Sequence, residues 1–349
     1  MLVDLPTFAY LGLIAFAIFT FIVYIGSTAA GQRKLEFLPV ATLHFVASQD
    51  MWGKKAREDS EILLKREVRR KKIYFIRHAE SAWNVLFNRG FGWGFLPNLI
   101  SALAEEFMML PTGESLLLDS PLSIGGISQA MQLRDWLQSV LEDPHGEFLR
   151  SSGPEQIALC SSNMRRAVST AVIGLGGRLL KNKSEKVHVL SSLQEVTRNI
   201  DGVSLSAAGS GPSASPLEKS LPELEPVVEG VFRAGKVEGS QNFGTKPFLG
   251  RNAYTRFDSF CDWCFNSDAA KSKSRVAATG HSLYFKEFMK LYLPKSTVHI
   301  VKTMKMVNCG VLSFDLVDCG EGQYAVDPHS LLSVYGGFEG VKEFEMKNK

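Results

Sequence analysis

Five short apolar runs, rich in β-branched and aromatic residues, punctuate the chain: Lys72–Ile76, Ile157–Cys160, Val187–Leu190, Val276–Thr279 and Val311–Leu316. A continuous apolar run of this length, bounded by turn residues, is the pattern of a strand buried on both faces. The stretches between the runs carry helical spacing. In Gly126–Leu141 the residues Ala130, Leu133, Leu137 and Val140 fall on one face, and Arg165–Leu180 and Tyr284–Tyr292 behave alike. Strands alternating with helices predict an α/β fold, a mostly parallel sheet with helices on both faces.

A different pattern precedes the first strand. No charged residue occurs from Leu5 to Gln32. A helix rises 1.5 Å per residue, so about 20 apolar residues cross a hydrocarbon core of ~30 Å. Residues 1–32 are therefore expected to form an N-terminal transmembrane anchor. A cleaved signal peptide fits less well. Met1–Asp4 carries no positive charge, and the apolar stretch exceeds the usual h-region of about 7–15 residues. Arg33, Lys34, Lys54, Lys55 and Arg57 all follow the run, which predicts a single-pass protein with its carboxyl side in the cytosol.

Residues 33–71 read as a basic connector, partly helical, with a helix expected over Lys54–Arg70. From Trp52 to Lys72 there are nine Lys/Arg against four Asp/Glu, whereas the whole chain has 39 against 36. The positive charge is thus local. A nucleic-acid binder should be basic across a face of its fold, so that class of partner is excluded; the alternation of these charges with Ile62, Leu63 and Val68 favours a solvated helix, and attraction to anionic lipid is the alternative. Residues 72–349 then form the catalytic domain. Within it, Phe91–Pro121 is expected to make a helical lid. Ser204–Ser215 is a Ser/Gly-rich low-complexity stretch that opens a flexible insertion at about 204–250. Five cysteines are an odd and low count, unlike a disulfide framework and suited to a reducing compartment. Cys261-Asp262-Trp263-Cys264 lacks a second pair to complete a zinc site and is read as two core thiols on a helix.

Chemistry-bearing residues gather where strands end. The first strand runs into Arg77-His78-Ala79-Glu80-Ser81, with Asn84 following. The second is followed by Ser162-Asn-Met-Arg-Arg166-Ala167, the third by Leu193-Gln194-Glu195, and the fourth by Thr279-Gly280-His281-Ser282. In an open α/β sheet the carboxyl ends of the strands face the ligand crevice. An arginine opening a helix can grip phosphate oxygens bidentately beside free backbone N–H groups. Two histidines, two arginines and one carboxylate form a set suited to phosphoryl transfer, which needs a nucleophile and cations around the equatorial oxygens.

The order Arg-His-x-Glu, Ser-x-Met-x-Arg-Ala, Leu-x-Glu and Gly-His resembles the histidine phosphatase superfamily, in the branch of cofactor-dependent phosphoglycerate mutases and related phosphatases. Asp119-Ser-Pro-Leu-Ser123-Ile-Gly125-Gly-Ile-Ser-Gln129-Ala130 resembles a further motif of that family, with Ser123 placed to cap the following helix. The likeness spans about Lys72–Leu316. It implies that His78 attacks phosphorus and becomes phosphohistidine, and that Arg77, Arg166 and His281 hold the phosphoryl oxygens with help from Asn84. Glu195 would then protonate the leaving oxygen and later activate water. No metal and no cofactor is implied. The resemblance also allows for a mutase or a catalytically inactive phosphate-binding scaffold. After Glu195, however, the chain lacks the mutases' Glu-Arg-His-Tyr type of segment, and Ser282 stands where acid phosphatases of the family carry Asp. The expected partner is a phosphorylated substrate, a phosphoprotein or lipid phosphate carried on the membrane.

Overall fold

The computed structural model describes residues 16, 19–47, 50, 58–87, 95–139, 143–151, 153–245 and 253–340. Its principal elements begin with helix α1 (Ala29–Ala47), strand β1 (Arg69–Arg77), helix α2 (Phe95–Met109) and helix α3 (Ile124–Ser139). Strand β2 (Ile157–Ser162), helix α4 (Arg165–Gly174) and strands β3 (Val187–Leu190) and β4 (Val237–Glu238) follow. Helix α5 (Ala253–Asn266), strand β5 (Arg275–Gly280) and helix α6 (Ser282–Tyr292) lead to strands β6 (Val311–Asp318), β7 (Tyr324–Val326) and β8 (Leu332–Tyr335).

The eight strands make one mixed sheet of order β4-β3-β2-β5-β1-β6-β7, with β8 paired to β6. β4, β3, β2, β5 and β1 run parallel, while β6 lies antiparallel to β1 and pairs with β7 and β8 in the same sense. The parallel strands alternate their side chains between two cores. Ile73 and Phe75 of β1 join α5 and α6 on one face, whereas Tyr74 and Ile76 join α3 and α4 on the other. Each fully buried aromatic or aliphatic side chain in such a core contributes about 1.5–3 kcal/mol. The expected sandwich of a mostly parallel sheet between helices is therefore present, with an antiparallel edge.

The helix expected over Lys54–Arg70 is not what forms in its described part. Only Ser60–Arg66 is helical, as one short α turn and a 3₁₀ turn, and Arg69 and Arg70 already belong to β1. The basic run stays extended because its cations find carboxylates across the sheet edge. Arg69 pairs with Asp318, Arg70 with Asp327 and Glu67, and Lys72 with Asp315. Lys71 is buried and donates to the carbonyls of Cys264 and Ala270, with burial lowering its pKa. Charges tied down in this way are poorly available to lipid head groups.

The low-complexity stretch after Ser204 is pinned rather than loose. Ser204 Oγ donates to the Asn163 carbonyl at 2.7 Å, and the Leu205 N–H donates to Asp119 Oδ2 at 2.9 Å. Ala214 and Ser215 are buried, and Ser215 forms a capping box with Glu218. Cys261 and Cys264 lie on α5, and all five cysteines are buried. The first part of the uncharged N-terminal run, residues 5–15 and 17–18, lies outside the described residues. Among the described residues no helix is long and apolar enough to cross a membrane.

Candidate active site

The loop after β1 is locked by its neighbours. The Ala79 N–H donates to Thr170 Oγ1 on α4, and the Glu80 N–H donates to Gln129 Oε1 on α3, each at 2.9 Å. Ser123 caps α3 as its position suggests, its Oγ accepting from the Gly126 N–H at 2.9 Å and donating to Glu80 Oε1 at 2.7 Å. Only glycine fits at 126, because a Cβ there would come within 1.9 Å of the Glu80 carbonyl oxygen. These contacts fix His78, whose N–H also bonds to the Gly280 carbonyl at the end of the adjacent β5.

His78, Arg166, Glu195 and His281 meet at the carboxyl ends of the parallel strands. The imidazole rings of His78 and His281 lie 4.9 Å apart. Arg166 Nη2 donates to Glu195 Oε2 at 2.7 Å, and the same carboxylate oxygen is 3.4 Å from His281 Nδ1. His281 Nε2 meets Ser162 Oγ at 2.9 Å. His78 Nδ1 lies 2.6 Å from the Ala79 carbonyl oxygen. A carbonyl can only accept, so Nδ1 carries the proton and the lone pair of the neutral ring sits on Nε2.

Electrostatics keep that ring neutral. Burial, reinforced by the Arg166 and Arg77 guanidiniums, drives the His78 pKa well below its usual value, and His281 is lowered by the same causes. Arg166 is 1 % exposed. Burial opposes its charge, but Asp201 and Glu195 outweigh that cost and raise its pKa. Asp201 approaches Arg166 at 3.4 Å; burial, with the nearby Glu195 and Asp119 charges, raises its carboxyl to about 7. A buried guanidinium facing two histidines makes a pocket that favours an oxyanion.

The other two expected residues have their hydrogen bonds elsewhere, although the charge of Arg77 still reaches both histidines. Arg77 Nη1 donates to the Met306 carbonyl and to Glu339 Oε1, the latter at 2.6 Å, so its guanidinium is engaged by the C-terminal segment. Asn84 lies half-buried on the short helix Ala82–Phe87. Its backbone N–H bonds to Ser81 Oγ at 3.3 Å, and no hydrogen bond among the described residues ties its side chain to the histidines. Sequence reasoning did not single out Ser162 as a site residue, nor Asp201. Ser162 stood inside a quoted motif as its first residue. Asp201 lies six residues beyond Glu195, in a segment without a recognised pattern.

Ligand atoms of His78, Glu195 and His281 fall within 4.8 Å of one another, close enough to hold a metal ion. A divalent cation there would have to take Glu195 Oε2 from Arg166 and sit beside a fully buried positive charge. An anion instead gains from that charge, so the donor set fits phosphate better than metal.

No family model matches the sequence, and no curated protein matches it. Solved structures do. A mycobacterial glucosyl-3-phosphoglycerate phosphatase is 16 % identical, covering 74 % of this chain and 98 % of its own, with a TM-score of 0.37. A phosphoglycerate mutase from Bacillus anthracis is 16 % identical, with coverages of 75 % and 94 % and a TM-score of 0.38. A phosphoserine phosphatase mutant from Entamoeba histolytica, solved with phosphoserine, is 15 % identical, with coverages of 76 % and 98 % and a TM-score of 0.35. These three solved structures are two phosphatases and a phosphoglycerate mutase, each similar to this chain at 16 % identity or less.

Proposed function

We propose that the chain is a phosphomonoester phosphatase that works through a phosphohistidine. His78 Nε2 attacks phosphorus, the P–O bond to the leaving group breaks, and Glu195 gives its proton to the departing oxygen. Glu195 then takes a proton from water as that water attacks the phosphohistidine, which releases inorganic phosphate and restores the ring. Arg166 and His281 hold the equatorial oxygens throughout, and Arg77 joins them when substrate draws it from Glu339. The single observation that carries this reading is the buried, neutral His78 held by Ala79 in the tautomer that leaves Nε2 nucleophilic, with Arg166 and His281 beside it.

The same reading anchors the protein in a membrane through residues 1–32, with the catalytic domain in the cytosol and a phosphoprotein or lipid phosphate as substrate. The uncharged run and the basic residues that follow it support that arrangement. The enzyme needs no metal in this scheme. Purified protein that hydrolyses an aryl phosphate after chelation, and that traps acid-labile phosphate on His78, would bear out the chemistry. Activity lost on chelation and restored by one metal would overturn it.

A further inference from the structure

Two helices beside this site are built inside out for water. On α2, the buried positions are Ala102 and Glu106, while Leu96, Ile100, Leu103 and Phe107 form the outward stripe at helical spacing, 50–62 % exposed. Glu106 turns inward to accept from Ser115 Oγ and from the N–H groups of Leu116 and Leu117, with Lys34 of α1 3.7 Å away. α1 repeats the inversion. It buries Lys34 and His44 beside Gly31 and Ala41, and it exposes Leu35, Leu38, Phe45 and Val46. A helix that packs on a globular domain in water turns its apolar stripe inward, and apolar patches of this size on a surface mark a contact with something apolar.

We infer that the outward faces of α1 and α2 lie in the surface of a lipid bilayer, as a platform that holds the catalytic domain with its strand ends at the membrane. The inference rests on the membrane-anchor reading and deepens it. A bilayer, rather than a second copy of the chain, is indicated by continuity with the uncharged run. Phe21, inside that run, packs its ring 4.7 Å from the ring of Phe107, so the exposed face of α2 begins where the run passes. α1 continues out of the run after a bend at Thr28, and from Phe37 to Ala47 it carries no Asp, Glu, Lys or Arg. Interfacial helices bind by laying an apolar face at the boundary between head groups and acyl chains.

The inner side of α1 shows what the platform holds. His44 Nε2 meets the Thr197 carbonyl at 2.6 Å, and Arg33 Nη1 donates to the Leu205 carbonyl at 2.9 Å. Both contacts fall on the segment that follows Glu195 and carries Asp201. The loop after α2 supplies Glu114 to pair with Arg165, the neighbour of Arg166. Membrane-facing helices and phosphate-binding groups therefore share one end of the sheet. A substrate whose phosphate stands at the head-group level is the class this placement favours.

The test uses the full chain in phosphatidylcholine vesicles. A cysteine-directed environment-sensitive fluorophore is placed by Ile100→Cys or Leu38→Cys, with Asp268→Cys as the control. The Asp268 side chain is 95 % exposed, and the five native cysteines are buried. The expected result is that the protein floats with the vesicles and that the Ile100 and Leu38 labels lose roughly half their emission in brominated-chain lipid, while the Asp268 label does not respond. Flotation with all three labels equally water-exposed would keep the anchor and overturn the platform. Flotation with the two labels shielded from iodide yet blind to brominated lipid would show protein on that face, such as a second copy, and would also overturn it. Protein left at the bottom of the gradient would sink the anchor and the platform together.

Discussion

Arg166 and Glu195 share a hydrogen bond of 2.7 Å, so the candidate acid and the candidate phosphate clamp are one ion pair. An incoming phosphate competes with Glu195 for Arg166, and winning that competition frees the carboxylate to handle a proton. On the proposed mechanism the pair would couple substrate binding to readiness for proton transfer.

Glu195→Gln keeps the hydrogen bond to Arg166 but cannot deliver a proton. Hydrolysis of alkyl phosphates should fall by about 10²–10⁴-fold, whereas aryl phosphates, whose leaving groups depart unaided, should lose far less in the first step. Burst kinetics on a nitrophenyl ester measure that step. Equal losses on both substrate classes would make Glu195 structural.

His78→Ala removes the nucleophile and should lower turnover by about 10³-fold or more. Quenching wild type during turnover in alkaline detergent should trap a phosphoenzyme that is stable in base and lost on later acid treatment, and the variant should trap none. Substantial turnover by the variant would end the assignment.

The pH dependence has a definite sign. His78 and His281 have folded pKa values well below the ordinary 6.5, so the unfolded chain takes up protons below that pH while the folded one resists. Each therefore makes the fold less stable as pH falls below about 6.5. Asp201, raised to about 7, works oppositely, binding a proton in the folded state between its usual value and that pH. For catalysis, the acidic limb of kcat/KM assigned to the nucleophile should lie below 6.5. A ring titration of His78 by NMR at or above 6.5 would contradict the buried, neutral nucleophile.

Mutase activity should be negligible, since the segment after Glu195 lacks the residues that mutases carry there and instead supplies Asp201 to Arg166. A second anionic group on the substrate would meet that carboxylate. A phosphoglycerate mutase rate stimulated by 2,3-bisphosphoglycerate and exceeding hydrolysis would promote the alternative.

Carbonate extraction should leave the full chain in the membrane pellet, and protease should remove a carboxyl-terminal tag from sealed microsomes. An uncharged run avoids the cost of about 2.5–3.5 kcal/mol for each Lys or Arg at the bilayer centre. Release into the supernatant would refute the anchor, and a protected tag would refute the orientation.

Much of this protein is legible in its sequence because the signals are local. The apolar runs at Lys72–Ile76 and Ile157–Cys160 announce buried strands, Ser123 announces its cap, and the residues at the strand ends mark out the candidate site. Other features depended on partners far along the chain. Arg69 and Arg70 read as helix until carboxylates some 250 residues later hold them in a strand. Val311–Leu316 announces a strand but not its direction, which is set by pairing with β1. Asp201 has no motif, and only the fold brings it to Arg166. The inverted faces of α1 and α2 were hidden for the same reason: composition says that a helix is apolar, but which side turns outward is decided when Lys34 and Glu106 find each other in the interior.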